Sequence, residues 1–136
     1  MPSDGIASET LIPLRWLDAV GRRNKAALLA LSQPEIAIHG PRGTAVGHEV
    51  LGRWFEGTVV RVVPFAVFSQ GSNYLVHHKM EWLNEDGTVK GTAVNASVFE
   101  VVDGLVASYA RDDEDAAPER HGFNENDLIW SAEGAT

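Results

Sequence analysis

Apolar residues in the first part of the chain recur at helical spacing. One ridge of the first helix consists of residues three apart: Leu11, Leu14, Leu17 and Val20. This spacing predicts a helix that begins near Ser8, or a few residues later because of Pro13, and ends at Gly21. Asn24 is the predicted N-cap of a shorter helix, KAALLAL, and Pro34 then directs the chain into a strand.

The next stretch, EIAIHGPRGTAVGHEVLGRWFE, joins a short strand to an amphipathic helix through a glycine-rich loop. Ile36 and Ile38 alternate with less apolar residues, which is the pattern of a strand with one apolar face. Gly47 marks the start of the helix, and Gly57 is expected to end it in a left-handed conformation. Gly52 lies inside this helix, which predicts close backbone packing at that point.

After this helix the pattern changes to the alternation of strands, and it stays so to about residue 112. Pro64 is expected at the start or edge of the first of these strands. Asp-Gly pairs at positions 86–87 and 103–104 predict hairpin turns, so strands of about residues 88–102 and 105–112 should pair in an antiparallel meander. Because helices come first and strands later, the predicted fold class is α+β. The inner face of one strand is predicted to carry Tyr74, Val76, His78, Met80 and Trp82.

Length and composition narrow the possible partners. The chain of 136 residues is expected to form one domain, and it contains no cysteine, which excludes thiol catalysis, disulfides and cysteine-based zinc sites. A formal net charge of −8 opposes attraction to nucleic acid and to anionic membranes. There is no apolar run long enough for a membrane span and no signal-peptide pattern. We therefore expect a cytoplasmic protein without nucleic-acid or membrane partners.

The single domain, residues 1–136, is predicted to have its core at about residues 8–112 and a C-terminal tail at 113–136. Leu128, Ile129 and Trp130 form a small apolar cluster in this tail. The cluster either docks on the domain or its partner, or belongs to a mobile terminus. The acidic run DDED and Pro118 favour the mobile terminus.

The order helix, short helix, strand, glycine loop, helix and four-stranded meander resembles the nuclear transport factor 2-like superfamily, which includes the ketosteroid isomerases and the SnoaL-like polyketide cyclases. The segments RWLDAV, ALLAL, GPRG and GHEVLGRWF carry the local resemblance, which extends over about residues 8–112. The resemblance implies a cone-shaped, cystatin-like α+β fold. In this fold the N-terminal helices pack in a curved, mainly antiparallel sheet and leave an apolar pocket open at one end.

The catalytic positions of the ketosteroid isomerases, transferred to this chain by the resemblance, are all replaced. The pocket tyrosine falls on Trp16, the aspartate base on Gly40 and the aspartate of the oxyanion hole on Ser97. These residues supply neither the proton shuttle nor the donors of that chemistry. The limonene epoxide hydrolases, also similar in fold, use an arginine and paired aspartates where this chain has Asn95 and Ser97.

Aromatic and polar residues on the inner face define a predicted ligand pocket for an apolar small molecule. The predicted ligand-binding residues are Trp16, Trp54, Phe55, Tyr74, Trp82, Asn95, Ser97 and Tyr109. The aromatic residues are most simply core residues, although a pocket for a flat hydrophobic molecule uses the same types. Asn95 and Ser97 either orient a polar ligand group or hydrogen-bond to each other across the sheet. The resemblance favours an inward Tyr109.

His78 is the predicted titratable group of the pocket, because it lies on an otherwise apolar strand face. SnoaL-like cyclases use a histidine and an aspartate as acid–base groups, so the resemblance pairs His78 with Asp113 or Asp112 as catalytic residues. The register of the last strand decides between these two aspartates. The alternative is a buried histidine that makes a structural hydrogen bond. Burial would lower the pKa of His78, whereas a nearby carboxylate would raise it.

No metal site is predicted among the histidines. His77 and His78 point to opposite faces of a strand, and His39 with His48 has no recognised ligand spacing. We also expect no cofactor, because the glycine-rich loop lacks the Gly-Lys-Ser/Thr ending of a phosphate-binding loop.

Two functions remain open. The first is a cofactor-free acid–base enzyme, such as an isomerase, cyclase or hydratase, acting on an apolar metabolite; the inward His78 favours it. The second is a noncatalytic ligand-binding or dimeric assembly module of the same fold, and the missing family acids favour it. A homodimer is predicted through the outer sheet face, where the apolar residues are Val94, Ala96 and Val98.

Overall fold

The structure, a computed structural model, describes residues 11–40, 43–112 and 121–132. Within these ranges the helices are α1 (Ile12–Gly21), α2 (Lys25–Ala30), α3 (His48–Glu56) and a short 3-10 helix (Glu125–Asp127). The strands are β1 (Ser32–Gly40), β2 (Gly43–Val46), β3 (Val60–Gln70), β4 (Asn73–Leu83), β5 (Val89–Val102), β6 (Leu105–Asp112) and β7 (Leu128–Ser131). These strands form one sheet in the order β2-β1-β6-β5-β4-β3-β7, which confirms the α+β class.

The first two helices follow the predicted boundaries closely. Helix α1 begins at Ile12 with Pro13 in its first turn, where proline is tolerated because that amide has no partner inside the helix. The later of the two predicted starts is therefore confirmed, and Ser8 lies outside the described residues. Asn24 caps α2, since its Oδ1 accepts a hydrogen bond from the amide of Ala27 at 3.1 Å. None of the helices in the described ranges is long and apolar enough to cross a membrane.

The connection between β1 and α3 contains β2, a strand that the sequence pattern did not predict. It pairs antiparallel with β1, and all four of its residues are exposed, so no alternation of burial marks it in the sequence. Gly47 precedes α3 with φ +112°, as a glycine at a helix start allows. The left-handed conformation expected at Gly57 was wrong, because its φ is −88° and its amide donates to the carbonyl of Arg53.

Strands β3 to β6 form the predicted antiparallel meander. Asp103 and Gly104 have φ of +53° and +79°, which are the left-handed conformations that a tight hairpin turn needs. Pro64 lies inside β3, so the predicted strand start was wrong. Pro64 pairs with β4, whereas β7 pairs with β3 only from Ala66 onward, which agrees with the alternative of an edge position. The register of β3 against β4 shifts between Pro64 and Ala66, at the point where proline supplies no amide donor.

Helices α1 and α3 pack against the inner face of the sheet around Trp16. The ring centroid of Trp16 lies 4.6 Å from that of Tyr109, 5.5 Å from that of Phe99 and 5.6 Å from that of Trp54. Its Nε1 donates a hydrogen bond to Oγ of Ser32 at 3.0 Å, so the one polar atom of this buried ring is satisfied. The centre of the inner face is therefore filled by aromatic side chains. Gly52 of α3 lies close to the side chain of a lysine in α2, not to backbone as predicted.

The C-terminal segment, which we define as residues 121–132, docks on the sheet. Strand β7 pairs antiparallel with β3, and Phe123 is buried on the outer face against Leu75 and Ala96. Nε2 of His121 lies 2.8 Å from Oδ2 of Asp112. The prediction of a mobile terminus was wrong for this segment, which docks on the domain. Residues 113–120 lie outside the described ranges. Ala96, which was predicted to face a second protomer, is covered by the chain itself.

Candidate ligand-binding site

A cavity of about 560 Å³ opens at the end of the sheet where β1, β4 and β6 meet the C-terminal end of α3. We call it the mouth cavity. Its apolar walls are formed by Ile38, Trp54, Met80, Trp82 and Tyr109. The volume lies within the range of small-molecule sites, and aromatic walls with a few polar groups are typical of such sites.

These side chains meet because every second residue of a strand points to the same face of the sheet. Met80 and Trp82 lie two residues apart on β4, and Tyr109 and Arg111 lie two residues apart on β6, so each pair shares the inner face. Tyr109 pairs with Ile38 of the neighbouring parallel strand β1, which brings a third strand to the same wall. Tyr109 is 3% exposed, so it faces inward as the resemblance implies.

Arg111 lies at the rim of the mouth cavity. Its guanidinium carbon is 5.4 Å from the ring centroid of Trp82, a cation–π arrangement that orients the planar group over an aromatic wall. Its side chain is exposed, whereas Tyr109 beside it on β6 is buried. The described part of the cavity therefore has an aromatic floor and a cation at its opening.

His78 is fully buried on the inner face, as predicted, but it does not line the mouth cavity. Its Nε2 lies 2.7 Å from Oγ of Ser97. The pKa of His78 is lowered to about 4, mainly by burial. Electrostatic interactions with His77 and Arg111 contribute to the lowering, while hydrogen bonds with its own backbone and with Asn95 act in the opposite direction. The imidazole is therefore neutral at physiological pH.

The predicted pair of His78 with Asp112 is not formed. Asp112 lies opposite Ala96 of β5, and Ala96 lies opposite His77 of β4, so these three residues share the outer face. His78 is on the inner face, and the sheet separates the two groups. The carboxylate of Asp112 instead contacts His121 of the C-terminal segment. Asp113, the other predicted partner, lies outside the described residues.

The remaining predicted ligand-binding residues divide into two groups. Trp54, Trp82 and Tyr109 line the mouth cavity, and Trp16 packs directly behind Trp54 and Tyr109. The structure does not bring the others to the cavity: Phe55 packs under the guanidinium of an arginine, Tyr74 lies at the opposite end of β4 from Trp82, and Asn95 and Ser97 are buried in the sheet.

Sequence reasoning missed Arg111, Met80 and Ile38 as pocket residues. The alternation of side chains along a strand was the available signal for two of them. Met80 lies two residues from Trp82 and shares its face, and Arg111 lies two residues from Tyr109 and shares its face. Ile38 was assigned to the apolar face of its strand without a link to the pocket. A charged residue near a strand end also has the pattern of a solvent-exposed one, so the face that it shares with Tyr109 did not by itself mark Arg111 as a pocket residue.

A second cavity, of about 530 Å³, lies along α1 beside β3 and β7. Its charged groups include Asp18 and Arg22, which already form an ion pair at 3.0 Å on the protein surface. Trp130 of the C-terminal segment is its one aromatic wall among the described residues. Within the same ranges, no three metal-ligating side chains come together. The mouth cavity is therefore the better candidate site.

The seven-stranded curved sheet with helices packed on its inner face is the fold of the nuclear transport factor 2-like proteins. An NTF2-like protein of unknown function from Cytophaga hutchinsonii is similar to this chain with a TM-score of 0.65 and 16% identity over 85% of this chain and 95% of that chain. A candidate polyketide cyclase from Sinorhizobium meliloti is similar with a TM-score of 0.66 and 18% identity over 79% of this chain and 100% of that chain.

An LEH-like epoxide hydrolase from M. tuberculosis is also similar, with a TM-score of 0.62 and 12% identity over 74% of this chain and 77% of that chain. At these identities the similarity shows the fold alone. The SnoaL-like domain family matches residues 14–109, and the chain belongs to this family. No curated protein matches the chain significantly.

Proposed function

We propose that this protein binds a flat, predominantly apolar small molecule in the mouth cavity. The observation that carries the proposal is the composition of the wall, in which three aromatic rings, a thioether and an isoleucine side chain line an open cavity of about 560 Å³. Burial of apolar ligand surface against such walls supplies roughly 25 cal/mol per Å². Aromatic faces add a preference for planar ligands.

The aromatic floor supports this proposal because it is held in place without a ligand. Trp54 and Tyr109 contact each other with ring centroids 5.3 Å apart, and Trp16 packs behind both. Trp16 is fixed in turn by its hydrogen bond to Ser32. A ligand that binds to a preformed wall loses little affinity to side-chain ordering.

The position of His78 favours a binding role over acid–base catalysis. A general base must come within about 3 Å of the proton that it transfers, or reach it through one water. Met80, the next inward residue of β4, lines the mouth cavity, whereas His78 lies behind it and is engaged with Ser97. A pKa of about 4 leaves the imidazole neutral and its charged form costly. We therefore assign His78 a structural role in this proposal.

The names of the structural relatives contribute little to the choice of ligand. A cyclase and an epoxide hydrolase at 18% identity or less show that the fold is shared, and they do not transfer a reaction to this chain. The proposal therefore depends on the described residues of the cavity.

Tryptophan fluorescence tests the proposal directly, because Trp54 and Trp82 both line the cavity. The protein is titrated with a panel of flat aromatic compounds that includes 2-naphthamide, and native mass spectrometry measures any copurified species. Trp82→Ala is compared with Tyr74→Ala, which removes a half-buried aromatic residue from the same face of the same strand outside the cavity. We expect saturable binding that Trp82→Ala weakens roughly tenfold and Tyr74→Ala leaves unchanged.

Two results would count against ligand binding in this cavity. One is the absence of saturable quenching across the panel together with no bound species in the native mass spectrum. The other is an equal loss of affinity in Trp82→Ala and Tyr74→Ala, since a general loss of packing would then explain both.

We also propose that two copies of the chain associate through the part of the outer sheet face that the C-terminal segment leaves exposed. Val63 and Val94 are 47% and 55% exposed and lie on either side of Lys79 in one row across β3, β4 and β5. In the next row Arg61 and Glu81 form an ion pair at 3.0 Å. In a two-fold contact each copy presents the same patch to the other. A patch that contains valines and charges of both signs is complementary to itself, so it is suited to such a contact.

A further inference from the structure

We propose that the ligand of the mouth cavity is an aromatic carboxylate and that Arg111 binds its carboxylate at the cavity rim; this inference rests on the proposed function of the cavity. The aromatic floor and the rim cation are two separate parts of the site. Each part selects one half of the ligand, and their order fixes the ligand's orientation.

The position of Arg111 is determined by the fold. It lies opposite Ser97 of β5 and two residues after Tyr109 on β6, so its side chain starts from the inner face of the sheet. The guanidinium carbon lies 5.4 Å from the ring centroid of Trp82, which belongs to a different strand. The charged end of Arg111 therefore lies over a ring that also lines the cavity wall.

The charges around the cavity select an anion. The described lining residues include no aspartate or glutamate. The inner-face residues Met80 and Trp82 flank Glu81 in the sequence, but Glu81 points to the outer face, where it pairs with Arg61 at 3.0 Å and Lys79 at 3.6 Å. His39 and Thr58 are the other polar side chains of the described lining. Since the whole chain has a net charge of −8, the guanidinium of Arg111 beside the aromatic wall is the feature that distinguishes an anionic ligand from a neutral one.

The guanidinium group is chemically suited to a carboxylate. It has five N–H donors in a planar fork, so a hydrogen bond to one protein group leaves further donors for a ligand. Two parallel N–H donors match the two carboxylate oxygens, and such charge-assisted bonds are stronger than neutral ones. The cation–π arrangement with Trp82 limits the rotation of the group, so less freedom is lost when a carboxylate binds.

The positions of Tyr109 inside the cavity and of Arg111 at its opening determine how a ligand is oriented. Tyr109 forms part of the floor and is nearly inaccessible, while Arg111 is exposed at the opening. An aromatic ring therefore lies inside and its carboxylate lies at the rim. A neutral aromatic compound occupies the floor without using Arg111, and a small aliphatic acid meets Arg111 without covering the rings. Both should bind more weakly than a compound that combines the two groups.

A matched pair of probes tests this inference. 2-Naphthoate and 2-naphthamide have the same ring system and nearly the same shape, and they differ in charge. Tryptophan fluorescence titrations on the unmodified protein should show that 2-naphthoate binds roughly tenfold more tightly, because it alone forms a charge-assisted pair with Arg111. This comparison needs no variant.

Variants of Arg111 then assign the preference to its side chain. Arg111→Gln should remove the difference between the two probes by weakening 2-naphthoate, while the affinity for 2-naphthamide stays within about twofold. Arg111→Lys should retain part of the preference, since it keeps the charge and loses the fork. Arg53→Gln removes an exposed arginine of α3 that does not line the cavity, and it should change neither affinity.

The outcomes separate this inference from the proposed function. Equal affinities for the two probes, or a preference that survives in Arg111→Gln, would overturn the role of Arg111 while ligand binding in the cavity stands. If neither probe binds and no compound of the aromatic panel binds, the proposed function fails and the carboxylate inference fails with it. If Arg111→Gln does not fold, the comparison in the unmodified protein and in Arg111→Lys still decides the result.

Discussion

Nε2 of His78 lies 2.7 Å from Oγ of Ser97, and both side chains are fully buried in the inner face of the sheet. Burial holds the pKa of His78 near 4 in the folded chain, compared with 6.5 in a solvated histidine. The folded-state pKa is the lower one, so between these two pH values the unfolded chain binds a proton that the folded chain does not. The contribution of His78 to folding stability is therefore fully present above about pH 6.5 and is lost as the pH decreases toward 4.

The predicted loss from this one residue is about 3 kcal/mol between pH 7 and pH 4. Urea denaturation at several pH values measures it, and His78→Gln should show a curve that is flatter by that amount. An unchanged slope in His78→Gln would mean that His78 titrates normally in the folded protein.

Phe123 is predicted to be the main apolar anchor of the C-terminal segment. It is 4% exposed and packs against Leu75 and Ala96 on the outer sheet face. Phe123→Ala should lower the free energy of unfolding by about 3 kcal/mol, because it leaves a cavity over an apolar surface. Leu128→Ala in the same segment removes a side chain that is 43% exposed and should cost less than about 1 kcal/mol. Equal and small losses in the two variants would show that the segment does not anchor through Phe123.

The sequence predicted those caps and turns that depend on residues close together in the chain. The cap at Asn24 and the turn at Asp103–Gly104 depend on a few neighbouring residues, and both formed as expected. The docking of Phe123 on Leu75 joins positions far apart in the chain, so no periodicity reports it. Strand β2 is exposed along its length and also gave no pattern.

Only part of the candidate site was predicted, because the rest depends on contacts between residues far apart in the chain. Trp54, Trp82 and Tyr109 were expected in a pocket because large aromatic residues on an inner face line either a core or a cavity. The sequence did not decide which face of the sheet Asp112 lies on. A shift of one residue in the register of a strand moves every side chain to the opposite face, and only the pairing with β5 fixes that register. Arg111 was missed because its alternation with Tyr109 indicates the face of the strand but not whether a charged side chain at the strand end lines a cavity or extends into solvent.

The protein is predicted to lack appreciable ketosteroid isomerase activity. Trp16 is buried and donates its N–H to Ser32, Gly40 lines the mouth cavity without a side chain, and Ser97 is engaged with His78. None of these positions supplies the proton shuttle and oxyanion donors of that reaction. We expect the rate of double-bond migration in a β,γ-unsaturated ketosteroid to be indistinguishable from that in buffer. Tryptophan fluorescence with the same steroid provides the control for binding, and robust turnover would show that other residues perform the chemistry.

The homodimer proposal predicts a specific effect of Val94→Glu. Val94 is 55% exposed on the outer face, so a charge there leaves the folded monomer intact and disrupts a contact between two apolar patches. Ala96→Glu is unsuitable, because Ala96 is fully buried beneath Phe123 and a glutamate there destabilises the monomer itself.

Light scattering should therefore give the mass of two chains for the unmodified protein and of one folded chain for Val94→Glu. Val102→Glu supplies the matched control, since Val102 is a similarly exposed valine near the other end of β5 and its substitution should leave the mass of two chains. A single-chain mass for the unmodified protein at high concentration would contradict the proposed association. A two-chain mass that persists in Val94→Glu would place the contact on a different surface.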